Sequence, residues 1–177
     1  IKLVALGEKN SEGNINAFVM PKFISKTDKL YSVDDVFNGV KTKSFFSDTQ
    51  FFVGKGAGAY PTASAVLSDI SALSYDYRYE YKKLHQDDAL ALDQSVLLKV
   101  FLRHDLEYGP AFKLLFDDIN ETYSNRDSGY IIGLISLENI QEIFAKQGVE
   151  SSIVLFDLVK KAPSLITNAL RSKAVYA

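Results

Sequence analysis

Residues Gly54-Lys55-Gly56-Ala57-Gly58 place three glycines at alternate positions. They follow the apolar run Phe51-Phe52-Val53 and precede Pro61 and a small-residue helix pattern that reaches Ile70. This reads as strand, permissive turn, helix. Glycine gives a turn access to positive φ and lets a second backbone or a ligand approach closely. Pro61 suits the first helical position, where a missing N–H costs nothing. A helix N-terminus offers free amides and partial positive charge, which suits an anion such as a phosphate. The spacing is G-x-G-x-G. It is not the dinucleotide fingerprint G-x-G-x-x-G, and no P-loop Lys-Ser/Thr follows. Spacing alone therefore leaves two readings open, a ligand-cradling turn or a tightly packed strand-to-helix corner.

Other groups that could do chemistry are few. His85 and His104 are the only histidines, one in a polar stretch and one at a strand end. A zinc site wants three or four ligands at defined spacing, so no metal site is assigned. Asp87-Asp88 and Asp117-Asp118 are adjacent pairs, and neighbours on a helix do not face each other. They read as solvated faces. Ser64 sits in no nucleophile elbow. No catalytic residue is assigned to this chain.

The elements that must position the turn come next. Ile1–Leu6, Ile15–Pro21, Val33–Thr42 and Thr49–Val53 read as strands, which together suggest a four-stranded antiparallel meander. Residues 61–75 carry apolar and small side chains at helical spacing through Ala63, Val66, Leu67, Ile70 and Leu73. Tyr75 to Tyr81 alternates aromatic and charged residues, the pattern of a half-buried strand. An acidic polar stretch, 84–94, marks a linker. Beyond it the rhythm restarts. Val96–Leu102 reads as a strand, Ala111–Tyr123 as a helix, Tyr130–Leu137 as a strand, Glu138–Lys146 as a helix ended by Gly148, and Ser152–Val159 as a strand. The tail, 162–177, is a short helical pattern. The fold class is thus α+β: a meander and a helix, then a small β-α-β-α-β domain with room for a fourth strand.

The words of the turn carry more than its spacing. Gly54-x-Gly56-Ala57-Gly58-x-x-Pro61-Thr62-Ala63-Ser64-Ala65-Val66-x-x-Asp69-Ile70 resembles the last conserved block of homoserine dehydrogenases. Upstream, Ile1 to Ala5, Phe18-Val19-Met20-Pro21, Leu30 to Val33 and Asn38-Gly39-Val40 follow the family's order, so the likeness covers roughly residues 1 to 75. One departure is Asp28-Lys29, where the family often has His-Pro. The resemblance implies NAD(P)-dependent interconversion of aspartate semialdehyde and homoserine, a step of threonine, methionine and isoleucine biosynthesis. It implies a dimerisation sheet in residues 1–53 and a helix that packs on a nucleotide-binding domain. It places Gly58 against the nicotinamide cofactor, NADP or NAD, with Gly56 and Ala57 beside it. Asn38 is expected to hold the adjoining loop.

The family's Rossmann domain and its catalytic lysine and acidic segment have no counterpart here. With Ile1 as first residue, the expectation is a C-terminal fragment, inactive alone, whose partners are its own Rossmann domain and a second copy. Residues 95–161 resemble the ACT-type ferredoxin-like regulatory domain that follows many homoserine dehydrogenases. There the family's D-x-P-G is replaced by Asp105-Leu106-Glu107-Tyr108-Gly109-Pro110, with extra residues and Pro and Gly reversed. The spans expected are 1–83, the linker 84–94, 95–161 and the tail 162–177. The competing reading is a free-standing ACT-like module that binds an amino acid or oligomerises without catalysis. An upstream reading frame carrying strand-G-x-G-x-x-G-helix would decide between them.

Bulk properties bound the rest. The chain has 177 residues, 47% apolar and 24% charged, with net charge −2 and no cysteine. Scattered Lys and Arg at that balance do not make a nucleic-acid footprint. The absence of thiols excludes disulfides and thiolate chemistry and fits a cytoplasmic protein. No apolar run approaches the length of a membrane span.

Overall fold

The computed structural model describes residues 1–77, 91–145 and 151–159. They fall into two compact units, residues 24–89 and residues 1–23 together with 90–177.

The smaller unit holds the glycine turn. It opens with a 3-10 turn, Lys29–Ser32, capped by Asp28, whose Oδ1 accepts from the Leu30 N–H at 2.9 Å. Aspartate at this position satisfies an otherwise orphaned amide. The other oxygen, Oδ2, meets Lys41 Nζ at 3.2 Å. Strands β3 (Phe37–Ser44) and β4 (Asp48–Lys55) form an antiparallel hairpin in which Asn38 faces Gly54 and Gly39 faces Val53. At its tip Ser47 N donates to Ser44 Oγ at 3.1 Å, and Asp48 takes φ 52°. Helix α1 (Ala59–Ser74) follows β4 directly. It ends where Tyr77 N bonds Ala72 O and Asp76 N bonds Leu73 O, with Asp76 at φ 54°. That paired closure with a left-handed residue just past the cap is a Schellman ending.

The larger unit is a six-stranded sheet of order β1-β2-β8-β5-β7-β6. Strands β1 (Lys2–Lys9) and β2 (Ile15–Lys22) are a hairpin closed by Asn10, whose Oδ1 accepts from the N–H groups of Glu12 and Asn14. The remaining elements run β5 (Leu97–Asp105), α2 (Gly109–Lys113), β6 (Phe116–Ser124), β7 (Ser128–Ser136), α3 (Leu137–Ala145) and β8 (Ser152–Val159). Along β5 the burial alternates, with Leu98, Val100, Leu102 and His104 inward. Period-two alternation puts these on one sheet face. Leu98, Val100 and Leu102 join Ile131, Ile135, Ile153 and Leu155 from the sheet, Phe112 from α2, and Ile140 and Ile143 from α3 in one core. Met20 of β2 belongs to the same core.

Three expectations are corrected. Strands β1 to β4 do not form one meander. They are two hairpins in two sheets, because Phe23 N at the end of β2 bonds Leu155 O of β8 at 2.9 Å and the chain then turns through Lys29–Ser32. The helix expected over Ala111–Tyr123 is the short α2 followed by β6, so the observed order is β-α-β-β-α-β rather than β-α-β-α-β. Strand β6 shifts register between Phe116 and Asp118 and again between Ile119 and Glu121. Each bulge adds a residue to the two-residue repeat, and Phe116, Ile119 and Tyr123 fall three and four apart and imitate a helix. The aromatic alternation beginning at Tyr75 is not a strand through Tyr77, since Tyr75 caps α1 and Asp76 is left-handed. Its remainder, 78–81, lies outside the described residues, as do His85, Gly148 and the tail.

Candidate functional site

Strand β4 delivers its last residue, Lys55, into the turn, and Gly56 N closes it by bonding Val36 O at 2.9 Å. Gly58 is the N-cap of α1, with φ 114° and ψ 159°. That backbone region is essentially restricted to glycine. A Cβ there would meet only Pro61, at 3.5 Å from Cδ. The glycine is thus demanded by conformation, while the space around it stays open. Gly58 O accepts from Thr62 N at 3.2 Å and from Thr62 Oγ1 at 2.9 Å, which starts the helical ladder. Pro61 sits at the third helical position rather than the first. Its missing N–H still falls among the amides that lack an intrahelical partner.

No side chain caps α1 and no acidic residue stands in its first turn. The amides of Ala59 and Tyr60 therefore keep the partial positive charge of the helix end for whatever approaches. These residues fit a group that needs bare backbone and an anion-friendly end, such as a dinucleotide. Gly54 has open space where its Cβ would be.

Gly56 differs. A Cβ built there would collide with the Asn38 side chain, with Cγ 2.6 Å away. Asn38 thus meets the turn by filling the place of a missing side chain. Its neighbour Gly39 is enclosed on its own side, where a Cβ would stand 3.0 Å from Val33 Cγ2 and 3.2 Å from both Leu30 Cδ2 and Phe51 Cε2. The glycine run and the earlier Leu30, Val33 and Asn38 are thereby brought into one assembly. Asp28 is a capping residue that the sequence signals only weakly. Its type before a short apolar turn was the available signal.

His104 lies elsewhere, in the larger unit. It is buried, with Nδ1 2.8 Å from the Asp105 carbonyl and its ring edge-on to Phe112. Gly109 and Gly129 make room for it, since a Cβ on either would come within 3 Å of its Cε1. Among the described residues no three His, Cys, Asp or Glu side chains group closely enough to hold a metal ion. No helix among them is long and apolar enough to cross a membrane.

Comparison with known proteins places the site in context. Residues 1–71 match the family model described as homoserine dehydrogenase. Over 73 residues the chain is 42% identical to a homoserine dehydrogenase of Synechocystis sp., a stretch that covers 40% of this chain and 17% of that protein. Over 69 residues it is 36% identical to an NAD(+)-dependent homoserine dehydrogenase of Pseudomonas canavaninivorans, covering 39% of this chain and 20% of that one. In fold, a homoserine dehydrogenase from Thiobacillus denitrificans aligns with a TM-score of 0.58 at 18% identity, over 88% of this chain and 42% of that chain. The chain thus spans less than half the length of these relatives. The turn, the hairpins before it and most of its helix lie inside the stretch that matches the homoserine dehydrogenase model.

Proposed function

We propose that this chain is part of an enzyme that interconverts homoserine and aspartate semialdehyde with NADP or NAD, in threonine and methionine biosynthesis. The observation that carries the reading is Gly58: a glycine-only conformation opening an uncapped helix, inside the family-matched residues. A nicotinamide cofactor, when bound, supplies the hydride chemistry. This chain's own part is to form a wall. Gly58 keeps side-chain bulk away from the nicotinamide half, with Gly56 and Ala57 beside it. The start of α1 offers its amides. Val66, Leu67, Ile70 and Leu73 are exposed on α1, which suits a helix that packs on the Rossmann domain of the same protein.

Dimerisation through the N-terminal strands, a cytoplasmic location and an ACT-type character for 95–161 belong to the same reading. The order β8-β5-β7-β6, antiparallel throughout, supports the ferredoxin-like assignment. The spans 1–83, 84–94, 95–161 and 162–177 remain our proposed division. The test is homoserine-dependent reduction of NAD or NADP by the purified intact protein. Turnover is expected with at least one cofactor, and none with either overturns the reading.

A further inference from the structure

We infer that Asn38 is a positioning residue for the cofactor wall, and that Gly56 is bare in order to receive it. The inference rests on the proposed role of the turn and deepens it. The Leu30, Val33 and Phe51 side chains close on Gly39 at 3.0–3.2 Å from where its Cβ would be, which fixes the β3 backbone beside Asn38. Asn38 pairs with Gly54 in the hairpin, and Gly54 and Gly56 are two residues apart, so they share a face as β4 leaves the sheet. The Asn38 side chain leans along that face onto Gly56, its Cγ 2.6 Å from where a Cβ would stand. Gly56 N is tied to Val36 O, in the turn just before β3, as the glycine turn begins. Two residues later the chain must enter the restricted conformation of Gly58. Asn38 therefore limits how far the turn can sink toward β3, and with it where Gly58 stands. Gly56 acts through Asn38 and has no need to touch the cofactor.

The experiment uses the intact protein as wild type, Asn38→Ala, Gly56→Ala, the double variant and Asn38→Leu, with NAD and NADP as the varied ligands. Asn38→Ala empties the volume, and Gly56→Ala pushes the carboxamide out of it. Each should raise the Michaelis constant for cofactor about tenfold, below the ~100-fold that a 1 Å misplacement can cost. The constant for homoserine should hold. Because both substitutions remove one contact, the double variant should be no worse than the poorer single, the signature of coupled sites. Asn38→Leu keeps the volume and should stay near wild type. An unchanged cofactor constant in Asn38→Ala, an Asn38→Leu as poor as Asn38→Ala, or multiplicative effects in the double variant would each overturn the inference while leaving the proposed activity standing. If wild type shows no turnover, the proposed function fails by itself. Melting temperatures of the same variants then carry the cycle: coupling supports the contact, and additivity refutes it.

Discussion

Gly58 joins two demands at one residue. Its φ of 114° and ψ of 159° cost a β-branched residue about 1–3 kcal/mol. Its open side is the space we assign to the cofactor. Gly58→Val in the intact enzyme should therefore lower stability modestly and raise the Michaelis constant for cofactor more than tenfold, about 1.4 kcal/mol per decade. A folded variant with normal cofactor affinity would reduce the turn to a packing device. The glycine's place in a permissive strand-to-helix turn was legible in the sequence, because alternate glycines stand between a strand pattern and a helix pattern. Its neighbour's was not: only coordinates reveal that Asn38 fills the place of a Gly56 side chain. His104 is similar. Nothing in its strand-end position announces burial, and the two glycines that house it, Gly109 and Gly129, lie 20 residues apart.

A second residue-scale prediction concerns Tyr130. Its hydroxyl donates to Glu121 Oε1, and that bond, with some burial and the nearby negative charge, raises its pKa above the ordinary 10.0. The neutral phenol is favoured in the folded state, so the contribution is present below pH 10 and is lost as pH rises through the higher folded value. Tyr130→Phe should remove one late-titrating phenol from the ultraviolet titration and flatten stability above that pH. An unaltered titration would contradict the contact.

At the scale of elements, the strands read best where one face is buried. Strand β8, Ser152–Val159, has the bounds its pattern predicts, and α3 begins at Leu137, one residue before its expected start at Glu138. Strand β6 was hidden because its two bulges spoil alternation, and its residues beyond Phe116 are exposed. The same bulges make Gly133 critical. A Cβ there would run into the Asp118 carbonyl, with Phe116 Cδ1 at 2.8 Å, and backbone cannot easily give way. Gly133→Ala should cost about 1–3 kcal/mol by overpacking, seen as a lower urea midpoint at unchanged slope. Gly7→Ala, with nothing within 4 Å, is the control and should be near neutral. Equal midpoints for the two variants would mean that β6 does not cross β7 as described.

Across the whole molecule, the order of elements was largely readable but the partnership of strands was not. Pairing is non-local, and nothing in residues 1–23 states that they join a sheet with 97–159. Met20 gives that union a test, since it is buried among side chains contributed almost wholly by residues 96–155. Met20→Ala should cost about 2–5 kcal/mol and lower the melting of the whole six-stranded unit in one transition. A separate early transition would show the hairpin to be an appendage.

On the function proposed above, this chain builds one wall of the cofactor cleft, and the cofactor-holding and proton-transferring groups come from the rest of the protein. Hydride transfer needs a held cofactor and a placed acid or base. The direct measurement is homoserine-dependent reduction of NAD and NADP by the purified 177-residue chain and by the intact protein, side by side. The account predicts turnover by the intact protein and a rate equal to the buffer control for the chain alone. Turnover by the chain alone, or none by the intact protein, would contradict it.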